Sequence, residues 1–105
     1  LLRAGLMLTA TALIVSGCGE RTEVGALAER GRQIYLTQCA TCHGADPAQA
    51  GPLGPPVKGS SRDLLEAKIL RGAYPPGYQP KRPTAVMPPQ PGLAADIAAL
   101  AEYLK

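Results

Sequence analysis

The sequence predicts an all-α domain assembled around something other than protein, and three observations predict it. Apolar residues recur at helical spacing in two stretches with a third between them bounded by helix cap and stop signals, no stretch alternates as a half-buried strand would, and the segments between are crowded with proline and glycine. The chain has 105 residues, 46% of them hydrophobic, yet it has no Trp, no Phe and only four Tyr, so much of the apolar fraction is alanine. Chains this short and this poor in large side chains draw stability from disulfides, a metal or a bound cofactor.

Residues 1–17 are predicted to be a leader outside the fold. Arg3 precedes an uncharged, mostly apolar run from Ala4 to Ser16, which is a signal-peptide profile. At about 13 residues the run is shorter than the roughly 17 to 25 that a spanning helix needs. Its end, Val15-Ser16-Gly17-Cys18, resembles the bacterial lipobox. That resemblance implies that Cys18 is lipidated, carries a diacylglycerol and becomes the first residue of the mature chain. It would also account for the odd thiol among three cysteines. Two acyl chains hold a protein at a membrane where one barely does, so the expected location is the periplasmic side of a bacterial membrane. Residues 18–25, "CGERTEVG", read as a polar tether, and 26–105 as the folded domain.

Within the domain, Leu27, Gly31, Ile34 and Tyr35 share one face while Glu29, Arg30 and Arg32 take the other, which predicts a first helix from Leu27 to Gln38. The stretch from Gly44 to Gly59 holds four prolines and four glycines and is predicted to be an ordered loop. Ser60 offers an N-cap with Asp63 three residues on, and Gly72 offers a stop, so "SRDLLEAKILR" reads as a second helix. Its acidic residues lie early and its basic ones late, as the helix dipole favours. Residues 73–92 contain seven of the eleven prolines and are predicted to form a stiff, shaped loop. Leu93, Ile97, Leu100 and Leu104 lie on one face of a last helix, whose Ala94, Ala98 and Ala101 are expected to let another helix approach closely.

The chemistry is concentrated in "QCATCHG", residues 38–44, where two cysteines stand three positions apart and the chain's one histidine follows the second. Such a pair can form a redox disulfide, half of a zinc site or the covalent anchor of a haem. Structural zinc takes four ligands, and the chain offers Cys39, Cys42, His43 and at best the committed Cys18. A thioredoxin-type pair normally follows a strand, and no strand pattern precedes Cys39. Haem c needs two thiols at this spacing for its two thioethers and a histidine beside the second to reach the iron, and CxxCH supplies all three. Outside the leader, which takes Met7, Met87 is the only thioether, and it lies in the rigid "TAVMPPQP" rather than on an apolar helix face. That position points to a second axial ligand. A His43/Met87 pair raises the reduction potential and leaves no open position at the metal.

With these residues in view, the stretch from Leu27 to Lys105 resembles a monohaem class I cytochrome c. The resemblance implies the cytochrome c fold, with about three to four helices wrapped around one covalent haem. Cys39 and Cys42 would carry the thioethers, with His43 as proximal and Met87 as distal ligand. "GPPVKG", Gly54 to Gly59, resembles the family's Gly-Pro-x-Leu-x-Gly segment, with Val57 in place of the usual leucine. The resemblance implies that the Pro55 carbonyl accepts the ring N–H of His43, fixing its orientation. Gly31 and Tyr35 with Leu100 and Tyr103 look like the family's crossing of terminal helices. The compact loops imply that some haem edge stays uncovered. Tyr74 and Tyr78 either contact the haem or a propionate or simply pack the loop.

The function implied is a membrane-tethered electron carrier between respiratory redox partners, such as a quinol-oxidising complex, a terminal oxidase or a periplasmic reductase. No substrate bond would be made or broken, so the protein is not expected to be an enzyme or to take a small-molecule substrate. The alternative is a five-coordinate haem c that binds a small gas or reduces peroxide, which requires Met87 to be off the iron. A further rival is a subunit whose haem only completes the core. The net charge of +3 is too mild for a nucleic-acid binder. It is uneven, however: from Lys58 to Arg82 there are six basic residues and two acidic ones. These are either solvated surface residues or a face for an acidic docking patch.

Overall fold

The computed structural model describes residues 12, 22–83 and 86–105. The end of the stretch read as a leader, Cys18 and the part of the expected tether before Thr22 lie outside the described residues. Regular structure among the described residues is entirely helical, as the absence of strand patterning predicts.

Thr22 starts the first helix. Its side chain accepts the Gly25 N–H at 3.0 Å, satisfying a donor that has no partner within the helix. Helix α1 then runs Glu23–Gln38, with Glu23 placed where the dipole favours an acid. It therefore begins four residues earlier than the apolar spacing predicts and takes in residues 23–25 of the stretch read as a tether. The reason is local: capping chemistry nucleates this first turn, and Val24, 60% exposed, adds nothing to the core. Helix α2, Ala40–His43, is a single turn. It is closed by His43 N–H on the Cys39 carbonyl at 3.0 Å and Gly44 N–H on the Ala40 carbonyl at 2.8 Å.

Helix α3, Arg62–Leu65, is capped by Ser61, which accepts Leu64 N–H at 3.2 Å. Ser60, the expected cap, instead donates its hydroxyl to the Val57 carbonyl. The helix then widens into π-helical turns over Glu66–Leu70, where the sequence predicts plain α-helix. The last helix also departs from expectation. Pro91–Asp96 forms 3-10 turns and only Ile97–Tyr103 is α-helical, here α4. Arg30 on α1 holds Asp96, the last 3-10 residue, through an ion pair of 2.7 Å.

Helices α1 and α4 cross with their backbones in contact. A Cβ on Gly31 would fall on the Ala99 carbonyl and come within 2.8 Å of the Tyr103 Cβ. The small residue that admits the crossing is thus Gly31 itself, and the backbone it admits is that of the buried Ala99. Beside the crossing, the fully buried Tyr35 ring meets Tyr103 at 5.6 Å and 49°. Tyr35, Leu65, Ile69, Ile97, Leu100 and Leu104 form the core cluster. Six large side chains, at about 1.5 to 3 kcal/mol each, make a small core. Cys39, Val57, Leu70, Met87 and Leu93 are half-buried along its edge, which is where the chemistry lies.

Candidate functional site

The site is built outward from Tyr35. Its hydroxyl donates to the Gly44 carbonyl at 2.7 Å, so a core residue of α1 fixes the end of the motif turn. Burial pushes the Tyr35 phenol up to about 12, and the hydroxyl therefore remains a donor at any physiological pH. Cys39 is half-buried and Cys42 exposed, and the two thiols are not bonded to each other. Burial, with the Cys42 thiol adding to it, pushes the Cys39 thiol up to about 11. A catalytic redox cysteine needs the opposite shift, toward thiolate. That shift does not support the thioredoxin-type alternative.

His43 Nδ1 lies 2.9 Å from the Pro55 carbonyl oxygen. A carbonyl can only accept, so Nδ1 carries the proton and Nε2 keeps its lone pair. Gly54 makes this possible by close approach, since a Cβ there would stand 2.5 Å from Nδ1 and 2.6 Å from Cε1 of the ring. The backbone straps the loop onto the motif: Leu53 and Gly54 donate N–H to the Cys42 carbonyl at 3.1 and 2.8 Å. Pro47 then accepts from Val57 and Lys58, closing the loop behind Pro55.

These residues fit a covalent haem. Two unpaired thiols, one a helical turn before His43 and one next to it, accompany an imidazole whose outer nitrogen is occupied by a carbonyl and whose inner nitrogen is free to ligate. Among the described residues no cluster of three or more His, Cys, Asp or Glu side chains could hold a metal ion by itself. Among those residues a structural zinc ion would lack its four ligands. The family comparison agrees with the geometry: the model of the Cytochrome c family matches residues 28–105. The chain belongs to the cytochrome c family. No curated protein matches it. Haem c is the family's covalently attached cofactor, and Cys39, Cys42 and His43 form this cytochrome's CxxCH. It is a haem-based electron-transfer protein, and members of the family are generally carriers rather than enzymes.

Direct contacts bring Cys42, His43, Gly54 and Pro55 of this cytochrome together, and Cys39 and Met87 meet the same core cluster. Tyr74 and Tyr78 stack on each other at 5.4 Å and 12°, with the Lys68 ammonium 4.4 Å above the Tyr74 ring. Tyr74 thus has one partner in the loop, Tyr78, and one on the π-helical segment, Lys68. Reasoning from sequence missed the part played by Gly54; the signal was the Gly-Pro step before a carbonyl that must reach an imidazole. A groove of about 480 Å³, lined by Leu27, Arg62, Ala98 and Glu102 among others, touches none of Cys39, Cys42, His43 and Met87.

Proposed function

We propose that this cytochrome is a monohaem class I carrier, ligated by His43 and Met87 and tethered through a lipid on Cys18 to the periplasmic side of a bacterial membrane, where it passes electrons between respiratory redox proteins. The observation that carries the ligation is the His43 Nδ1–H bond to Pro55, which leaves Nε2 free, together with Met87 half-buried against the core edge that also holds Cys39. Haem c in a His/Met pair supplies a one-electron centre of raised potential with no open position for substrate. The chain's own contribution is to orient the imidazole, to hold the thioether in a proline-stiffened stretch and to keep Cys42 at the surface.

The ligation is tested on ferric holoprotein. A near-infrared Met–Fe(III) absorption is expected, lost in Met87→Ala, with no stoichiometric carbon monoxide uptake by the reduced wild type. Rapid uptake would instead favour the five-coordinate gas- or peroxide-reactive reading.

The tether rests on the lipobox-like Val15-Ser16-Gly17-Cys18. Among the described residues no helix is long and apolar enough to cross a membrane. Cys18→Ser is expected to move the holoprotein from the membrane to the soluble fraction of cells, and retention in the membrane would refute lipid anchoring. For the partner, the basic excess from Lys58 to Arg82 supports an acidic docking face. Electron transfer to it should slow as salt rises from about 0.01 to 0.5 M, where screening shortens from about 30 Å to a few ångströms.

A further inference from the structure

We propose that the π-helical end of α3 is the fixture that sets the position of Met87, with the Ile69 carbonyl and Gly72 as its two points of attachment. The inference rests on the reading of Met87 as axial ligand and adds the positioning residues behind it.

In an α-helix the Ile69 carbonyl would accept the N–H of Ala73, four residues on. Here the Ala73 N–H goes instead to the Ala67 carbonyl at 3.0 Å, and Gly72 N–H goes to Lys68 at 3.0 Å. Both bonds span one residue more than the matching bonds of an α-helical Schellman end, as the π-helical turns of Glu66–Leu70 require. The widening releases the Ile69 carbonyl from the helix, and that carbonyl accepts the backbone N–H of Gln90.

The donor side is as specific. Pro88, Pro89 and Pro91 carry no N–H, so between Met87 and Gly92 the chain has a single backbone donor, Gln90. It is committed to the carbonyl that the π register frees. The second attachment is steric. Gly72 has a positive φ of 64°, and a Cβ there would stand 3.0 Å from Cγ of Pro89. The helix end therefore touches Pro89 and bonds Gln90, two and three residues beyond Met87. The intervening Pro88 and Pro89 have fixed φ, so a displacement at either contact is passed to Met87 rather than absorbed. Ile69 and Leu70 of the same segment pack with the core cluster, which ties the fixture to the crossing of α1 and α4.

The test compares Gly72→Asn with Gly77→Asn in ferric holoprotein. Asparagine tolerates positive φ, and Gly77 has a φ of 78° with nothing near its absent Cβ, so the pair separates pressure on Pro89 from backbone strain. Gly72→Asn is expected to weaken the near-infrared Met–Fe(III) band and to bind cyanide about 10-fold more tightly, because the state without Met87 on the iron becomes more populated. Gly77→Asn should match the wild type, and adding Pro89→Ala to Gly72→Asn should restore the band. Equal effects at both glycines, or no recovery with Pro89→Ala, would overturn the proposal. A band lost in Met87→Ala but intact in Gly72→Asn would remove the fixture alone. A band intact in Met87→Ala would remove the axial reading, and the fixture with it. Should Gly72→Asn yield no holoprotein, hydrogen exchange of the wild type decides: the Gln90 amide should be protected about 100-fold or more, and exchange at the unfolded rate would overturn the anchor.

Discussion

Gly31→Val is expected to prevent this cytochrome from accumulating as a folded holoprotein, and Gly31→Ala to cost about 2 to 4 kcal/mol, at or beyond the upper end of ordinary overpacking. The obstacle explains the size. An added Cβ meets the backbone carbonyl of Ala99 first and the Tyr103 Cβ next, and neither is the far end of a flexible side chain. Relief requires α1 and α4 to separate. That separation would loosen Tyr35 from Tyr103 and open the cluster containing Ile97, Leu100 and Leu104. A domain of this size has about 5 kcal/mol of stability, or a little more, to lose, so alanine brings it close to the threshold and valine crosses it. The measurement is urea unfolding of the holoprotein followed by far-ultraviolet circular dichroism. Because the obstacle is a carbonyl, Ala99→Gly should not rescue Gly31→Ala. A rescue, or a cost below about 0.5 kcal/mol, would mean that the two backbones do not touch.

The crossing also shows what was legible in the sequence. Gly31, Tyr35, Leu100 and Tyr103 could be named beforehand through the family likeness, with Gly31, Tyr35 and Leu100 also placed by helical spacing. Their partner Ala99 could not, since five alanines occupy the last helical stretch and only the rotation of α4, which depends on where the 3-10 turns give way at Ile97, selects one. Cys39, Cys42 and His43 were legible because the chemistry requires those types at that spacing. The Pro55 bond was legible only through the family likeness, since nothing in a Gly-Pro-Pro step declares which carbonyl faces the ring. The π register of Glu66–Leu70 was hidden for another reason. Its residues are ordinary helix formers, and what it accomplishes, the release of one carbonyl to Gln90, depends on a segment some 20 residues away in the chain.

Gly54→Ala is expected to act on the iron's proximal ligand while leaving the ligand itself in the sequence. Its Cβ would lie 2.5 Å from His43 Nδ1 and 2.6 Å from Cε1, so either the ring turns or the strap of residues 51–55 lifts. Both movements break the Nδ1–H bond to Pro55, and the strap's bonds from Leu53 and Gly54 to the Cys42 carbonyl resist the second. The lost bond costs about 1 kcal/mol and the overpacking about 1 to 3. The chemical consequence is separate from stability. An imidazole that donates to a carbonyl is more basic and better supports the ferric iron, so losing the acceptor should raise the midpoint potential. Redox titration of the holoprotein reads this directly. Pro55→Ala provides the contrast: it retains the carbonyl and the glycine before it, and should lower stability with little change in potential. If Gly54→Ala unfolds earlier but titrates at the wild-type potential, the Pro55 carbonyl only fastens the loop and does not tune the histidine.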